Sequence, residues 1–503
     1  MPHVTRRKFL GQVAGAAAAT ALPSVLRAQP ATKPARKPNV LFFIVDDMRV
    51  ELGCYQSMFG ALTPNIDALA KAGVRFDRNY CQFPLCNPSR SSLMTGRHPT
   101  NSGVLGNRAS FRALHPDWIS LPQLFKENGY ASLRSGKIFH GGIDDPKAWT
   151  EGGGIADGDG GAGGKTKVIP RTDGPPAPSN IVAPLPQDIS QAAHSDRIVV
   201  LDGNGEGHPD YATADHAIEY LRRYKDKEQP FFLGCGPVKP HSPPCAPQKF
   251  LDLYDLDKIK LTPDFAAWPT VPPGFPSAAI RKRNADLFIG RAASEAEAKE
   301  VIRAYIASTS WTDWNIGRVV AELDRLGLRE NTIIVLMVDH GYQLGEKGKW
   351  SKAGSLFEMG TRVPLIIAAP GAKGNGTACF RSVQSLDVYP TLRELCGLPM
   401  PPQGLEGVSL NPLLQNPSAA WGRPAYSVWS EDGRTLHGVA VRTEQWRYAE
   451  FGKDGENGAM LFDPKTDPLE MKNLADDPQH KGVVAELSAL TRSYAAQLKP
   501  SLG

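Results

Sequence analysis

The chain has 503 residues, of which 41% are apolar and 22% charged, with 43 prolines and 49 glycines. That is more than one small core needs and suits a large α/β domain with an appended unit and many loops. The formal charge is +5, but residues 1–28 hold four basic and no acidic side chains and residues 29–38 hold three more basic ones, so the remainder carries −2. Nucleic-acid binding therefore has no compositional support.

Reading from the N-terminus, TRRKFLGQVAGAAAATALPSVLRAQP starts with Arg6-Arg7-Lys8 and runs through a weakly apolar, alanine-rich stretch to Ala28. The pattern is that of a cleaved signal peptide, and the paired arginines resemble a twin-arginine export signal. Residues 1–28 are expected to be removed and the protein to act in the periplasm or outside the cell. Gln12, Gly15 and Pro23 interrupt the run, and no other segment has the length of a membrane-spanning helix, so no stable membrane anchor is expected. Residues 29–38 read as a Pro/Lys/Arg-rich linker.

Residues 39–45, NVLFFIV, form a continuous apolar run that suits a strand buried on both faces and stops at Asp46-Asp47. A helix is expected over 64–72, with Thr63 as cap, Pro64 in the first turn and Gly73 as its stop. A second starts near Pro88, directly after Cys86, and ends at Gly96. The loop SGKIFHGG carries Lys137 and His140, and the glycine-rich residues 151–164 read as a flexible surface insertion. PFFLGCG, residues 230–236, is a strand leading to Lys239 and His241, which prolines hold stiffly. A proline-rich loop covers about 262–277, and apolar positions from Val301 to Leu326 predict a long helix. The strand 331–338 then ends in Asp339-His340, Lys352 follows in GKWSKAG, and another strand covers 363–370. From about 420, AYSVWS, GVAVRTEQWRYAEF and MLFD predict short antiparallel strands, with a final helix over 481–497. Strands alternating with helices predict an α/β fold. Its large, mostly parallel sheet, covered by helices on both faces, occupies residues 39–415, and a smaller C-terminal α+β subdomain occupies 416–503.

The seven cysteines at positions 54, 81, 86, 235, 245, 379 and 396 include no CxxC pair, which argues against structural zinc. In an exported chain, up to three disulfides among the seven could leave one thiol over. Ligands of open parallel sheets bind beyond the carboxyl ends of the strands. Asp46, Asp47, Asp339 and His340 each follow a strong strand, and together they suggest a divalent cation, Ca²⁺ before Mg²⁺. Arg90 lies one turn after Cys86, and the start of that helix is a ready anion cradle. Lys137, Lys239 and Lys352 could add positive charge, and His140 and His241 could move protons. A soft thiolate is a poor ligand for a hard cation, so the metal wants oxygen at position 86.

Cys86-Asn87-Pro88-Ser89-Arg90 resembles the Cys-X-Pro-Ser-Arg signature of type I sulfatases, and SSLMTGRHP continues that pattern. Across residues 39–500, VDDMRVELGCYQ, GKIFHGG, VKPH, DHGYQLGEKGKWSK and LFDPKTDPLEMKNLADDP are similar to the family, most of all to its iduronate-2-sulfatase branch. The resemblance implies an alkaline-phosphatase-like fold and oxidation of Cys86 to formylglycine by a formylglycine-generating enzyme. The hydrated aldehyde would give the metal its oxygen. It also implies Ca²⁺ on Asp46, Asp47, Asp339, His340 and modified Cys86, with a diol oxygen of residue 86 attacking sulfur. His241 with Lys352 would protonate the leaving alcohol, and His140 would act as base. Arg90, Lys137 and Lys239 would bind sulfate oxygens or tune the diol. Tyr342 reads as a wall of the substrate pocket or as core packing. The implied substrate is a sulfated saccharide, such as a 2-O-sulfated uronic acid in a glycosaminoglycan-like or algal polysaccharide. Two rivals remain: a phosphonate monoester or phosphodiester hydrolase using the same modified residue, and a non-catalytic glycan binder, against which the intact metal, cysteine and basic sets count.

Overall fold

The structure is a computed structural model describing residues 36–152, 165–167 and 192–498. The expected signal peptide, most of the linker and residues 153–164 of the glycine-rich insertion lie outside the described residues. From Lys37 onward the chain forms one compact unit.

Its centre is a seven-stranded sheet. In chain order the strands are β1 (Asn39–Val45), β2 (Val74–Tyr80), β3 (Ala131–Gly136), β4 (Phe231–Gly236), β5 (Thr332–Val338), β6 (Leu365–Ala368) and β7 (Ala378–Gln384). Their spatial order is β7-β2-β6-β5-β1-β4-β3. β1 runs parallel to both β4 and β5, and β3 to β4 and β7 to β2 are parallel as well. Only β6 is reversed, antiparallel to β2 and β5. The mostly parallel sheet expected from the sequence is therefore present.

Six helices matter for the site: α1 (Pro64–Ala72), α2 (Cys86–Thr95), α3 (Pro209–Tyr224), α4 (Glu295–Arg325), α5 (Val388–Leu395) and α6 (Lys481–Ala495). Side chains of β1 alternate between two cores. Val40, Phe42 and Ile44 pack with Leu93 and Met94 of α2 and Leu392 of α5. Leu41, Phe43 and Val45 pack with Ile66 of α1, Leu221 of α3 and Ile316 of α4. With both faces covered, every position of β1 is better apolar, which explains the unbroken run. Each such Leu, Ile or Phe contributes roughly 1.5–3 kcal/mol by leaving water.

Helix α4 begins earlier than the apolar spacing suggests. Its start is a polar capping box, in which the Ser294 hydroxyl accepts the Glu297 N–H and the Glu297 carboxylate takes that of Ser294. Thr63 stands at the N-cap of α1 but makes no capping bond. Its hydroxyl donates to Asp67 (3.0 Å) and accepts the Gly53 N–H (2.9 Å) instead. None of the seven cysteines is bonded to another. Cys379 and Cys396 belong to the core on one side of the sheet, and Cys81 and Cys235 to the core on the other.

The C-terminal part is a four-stranded antiparallel sheet in sequential order, β8 (Ala425–Trp429), β9 (Gly438–Arg442), β10 (Arg447–Phe451) and β11 (Ala459–Phe462). Leu487 of α6 packs on Val441, Tyr448 and Leu461 of its face. A buried charge knot joins it to the large sheet. Arg447 lies 3.2 Å from Glu358 and 2.7 Å from Glu470, and the Tyr80 hydroxyl donates to Glu358 (2.8 Å). A smaller three-stranded sheet pairs Lys165–Lys167, Ile198–Leu201 and Cys245–Pro247.

Candidate active site

β3, β4, β1 and β5 are consecutive neighbours. Just past their carboxyl ends come Lys137, then Lys239 and His241, then Asp46-Asp47, then Asp339-His340. Gly136, at φ +74°, turns the chain out of β3 so that Lys137 enters the edge. Helix α2 supplies Cys86 at its first position. The Cys86 Sγ lies 3.5 Å from Asp46 Oδ1 and 3.2 Å from His340 Nε2.

Ligand atoms of Asp46, Asp47, Cys86 and His340, all buried, lie within 4.8 Å of one another. Asp339 stands beside this group. Its Oδ1 accepts the N–H groups of Asp47 (3.3 Å) and His340 (2.9 Å), and its Oδ2 accepts from Arg90 Nε (2.9 Å). Asp47 Oδ1 is buried with no hydrogen bond, and its ion-pair neighbour is His340 Nδ1 at 3.3 Å. A buried carboxylate oxygen with no hydrogen bond, clustered with further carboxylate and imidazole ligand atoms, is what a bound cation satisfies, so the donor set fits a divalent ion.

The backbone here is held under strain. Asp47 has φ +58°, in the left-handed region that few non-glycine residues adopt, although Asp tolerates it better than most. Two groups hold it there. The Tyr305 hydroxyl, from α4, donates to the Asp47 carbonyl (2.6 Å) and accepts the Arg49 N–H (2.9 Å). The Arg49 guanidinium is anchored in turn on Glu346 (2.7 Å) and Glu51 (3.2 Å).

The charges respond to one another. Burial opposes ionisation of Asp46, but Lys137 and Arg90 outweigh it and hold the carboxyl well below the usual range. For Asp47 burial dominates over Lys352, and its carboxyl is pushed well up. His340 pays a burial penalty too, yet Asp339 and the Cys86 sulfur raise it to about 10. Burial and then the Lys352 charge push His241 well down. Its Nδ1 donates to the Ser242 carbonyl (2.7 Å), and its Nε2 faces Lys352 Nζ at 3.1 Å. Lys352 also donates to Asp47 Oδ2 (2.8 Å) and lies 3.3 Å from Asp286, and these acids raise it well above an ordinary lysine against burial.

A cavity of about 920 Å³ opens over the group, and Cys86, Lys137, His140, His241 and Lys352 line it. Asp46, Asp47, Asp339 and His340 lie beneath its floor, and three further sequence candidates do not reach it either. Arg90 is buried beneath Cys86, with its guanidinium on Asp339 and the carbonyls of Lys137 (2.6 Å) and Ile138 (3.1 Å). Lys239 Nζ donates to the carbonyls of His241 and Pro243, both at 2.9 Å. Tyr342 packs in the core against Tyr305 and donates to the Trp350 carbonyl (3.2 Å), so the pocket-wall reading gives way to core packing. The anion cradle expected at the start of α2 is also filled from within. The Asn87 N–H donates to Asn107 Oδ1 (3.1 Å) and that of Ser89 to the Leu85 carbonyl (3.1 Å).

Sequence reasoning missed Tyr305, Asp286 and the loops 105–109 and 429–434 that form the outer cavity wall. Tyr305 sits on the apolar stripe of a long helix and carries no local signal. Asp286 follows no strand, so the strand-end rule passes over it.

The sequence profile of the family described as Sulfatase matches residues 38–398. A second profile, described as N-sulphoglucosamine sulphohydrolase, C-terminal, matches residues 345–497. The chain is 31% identical to the iduronate 2-sulfatase of Mus musculus, over 89% of this chain and 93% of that protein. It superposes with TM-score 0.71 and 22% identity on BT4656 solved with its substrate D-glucosamine-2-N,6-O-disulfate, covering 93% of this chain and 99% of that one. The phosphonate monoester hydrolase of Silicibacter pomeroyi superposes with TM-score 0.68 and 22% identity, over 92% of this chain and 96% of that one.

Proposed function

The chain belongs to the sulfatase family and is a sulfuric ester hydrolase; from that premise we propose that its substrate is a sugar sulfate, a 2-O-sulfated uronic acid unit, and that it uses formylglycine made from Cys86 and a bound Ca²⁺. The observation that carries the proposal is the Cys86 side chain inside a buried group of Asp46, Asp47 and His340. An oxygen function in place of that sulfur would both complete a hard-cation site and serve as the nucleophile. Asp46, Asp47, His340 and residue 86 would hold the ion, and Asp339, whose Oδ2 lies 3.5 Å from His340 Nε2, would complete the ligand set. Bound there, Ca²⁺ supplies positive charge to sulfate oxygens.

The remaining steps belong to the chain's own side chains. Lys137 and Lys352 face the cavity and bind the sulfate oxygens. Arg90 neutralises Asp339 and Asp46 from below. Lys352 Nζ meets His241 Nε2 at 3.1 Å, with burial and the Lys352 charge disfavouring protonation of the imidazole and the neighbouring acids favouring that of the lysine, so this pair delivers the proton to the leaving sugar alcohol. His140 stands on the Lys137 side of the cavity and acts as base. Lys239 fixes the loop that carries His241. The uronate preference rests on the likeness to iduronate 2-sulfatase across most of both chains. Residues 1–28 direct export, a formylglycine-generating enzyme matures Cys86 on the way, and residues 39–415 and 416–503 act as catalytic domain and closing subdomain.

A panel of sulfated mono- and oligosaccharides tests this by sulfate release, run beside an aryl sulfate and an aryl phosphonate monoester. Sulfate release highest on 2-O-sulfated uronates, and abolished by Cys86→Ala, is the expected outcome. Faster turnover of the phosphonate ester than of any sulfate would overturn it in favour of the phosphonate reading.

A further inference from the structure

The outer wall of the cavity holds charge that the sulfate chemistry does not use. Arg108 and Arg434 both line it, from opposite ends of the chain, and both are exposed. Neither guanidinium has a carboxylate partner among the described residues, whereas the acids on the same wall are each engaged. Glu431 lies 3.1 Å from Arg281 and accepts from Trp429 Nε1 (2.9 Å). Asp432 accepts the N–H groups of Arg434 and Thr435, both at 2.8 Å. Asp286 lies 3.3 Å from Lys352. Residues 39–503 carry a formal charge of −2, so these two arginines are not the overflow of a basic protein.

The loops that carry them are organised. Asn87, next to the nucleophile position, donates its side-chain amide to the carbonyls of Gly106 (2.8 Å) and Ala109 (2.7 Å) and its N–H to Asn107 Oδ1 (3.1 Å). The loop around Arg108 is thus tied to α2 and to Cys86. The loop around Arg434 is a turn closed by Asp432, with Ser430 donating to it (3.0 Å). The two loops meet: a Cβ on Gly106 would sit 3.7 Å from the Gly433 Cα. Their backbones are fixed while both guanidinium groups stay open, which is how a preorganised anion site is built.

We propose that Arg108 and Arg434 form a second anion subsite, taking a carboxylate or sulfate on the same saccharide whose sulfate ester sits at residue 86. This rests on the sulfatase reading and deepens it. The preferred substrates carry at least two anionic groups, and the C-terminal subdomain takes part in choosing them through Arg434.

Calorimetric binding in the inactive Cys86→Ala protein tests this without turnover. Three probes are used: a disaccharide of 2-O-sulfated uronate and glucosamine, its carboxyl-reduced form, and its 6-O-sulfated form. With Arg108 and Arg434 in place, loss of the carboxylate or gain of the sulfate should change affinity about tenfold, the worth of one charge-assisted pair. The arm that responds identifies the anion. In Arg108→Gln/Arg434→Gln the three probes should bind alike, and each single variant should fall between. Discrimination that survives the double substitution overturns the subsite, as does equal affinity for all three probes before it. Failure of the sulfatase reading itself would show separately, as no sulfate release from any saccharide or aryl sulfate by the unsubstituted enzyme.

Discussion

Asp47 is the residue on which the proposed metal site turns. It leaves β1 in a left-handed conformation, its open Oδ1 faces the cluster, and its carbonyl is held by Tyr305. Removing that hydroxyl keeps the packing of the ring but releases the strained backbone. Tyr305→Phe should weaken Ca²⁺ binding by about tenfold, the usual scale for a group that orients metal ligands. Titration of metal-free protein followed by a thermal shift reads this directly, and unchanged affinity would leave Tyr305 a packing residue only. The aspartate pair was legible in the sequence only together with Asp339-His340, because two acids after one strand are often ordinary helix caps, whereas two such pairs after two strong strands share a sheet edge. Its orienting tyrosine was not, because an aromatic on a buried helix face is what any core requires. Tyr342 is the reverse case: it follows the metal pair in sequence, yet the chain turns it inward against Tyr305.

Elements carry a second kind of dependence. Helix α6 is docked by Tyr494, whose hydroxyl meets His98 Nδ1 at 2.9 Å just beyond the end of α2. Burial, with a smaller contribution from Arg97, lowers His98 from 6.5 to about 3. The folded state therefore holds it neutral while the unfolded chain takes up a proton below about pH 6.5. Its contribution is fully present above that pH and is lost as pH falls toward 3. Denaturant unfolding should show stability falling by several kcal/mol over this window, with a smaller acid loss in His98→Gln. An equally steep loss in the variant would place the acid sensitivity elsewhere. Strands β1 and β5 could be read from sequence because their apolar runs are unbroken. Strand β3, ASLRSG, could not, since it places Ser132, Arg134 and Ser135 in buried positions. Arg134 reaches Asp144 (2.8 Å) and Ser135 the Thr213 carbonyl (2.7 Å), contacts that only the tertiary fold provides. The reversal of β6 was likewise invisible, because a short apolar strand gives no sign of its direction.

At the scale of the whole molecule, the large sheet and the C-terminal sheet are parts of one structure. Glu358 is buried against Arg442 and Arg447, and burial is outweighed by those arginines, so its carboxyl stays below the usual range. A chain ending before residue 425 would leave Glu358 buried without them, a change that costs about 3–5 kcal/mol for a broken buried pair. It would also remove Trp429 and Arg434 from the cavity wall. Such a truncation should be insoluble, while the full chain should unfold in one transition; a soluble, folded truncation would show two independent domains. The sequence made both parts recognisable but gave no sign of their buried charge knot, whose partners lie far apart in the chain. The proposed function depends most on an oxygen at residue 86 where the sequence has a thiol. Peptide mass spectrometry of the active enzyme decides this: the peptide containing residue 86 should be about 18 Da lighter than its cysteine form, as replacement of the thiol by an aldehyde demands. A fully active preparation carrying only the unmodified Cys86 thiol would contradict the account.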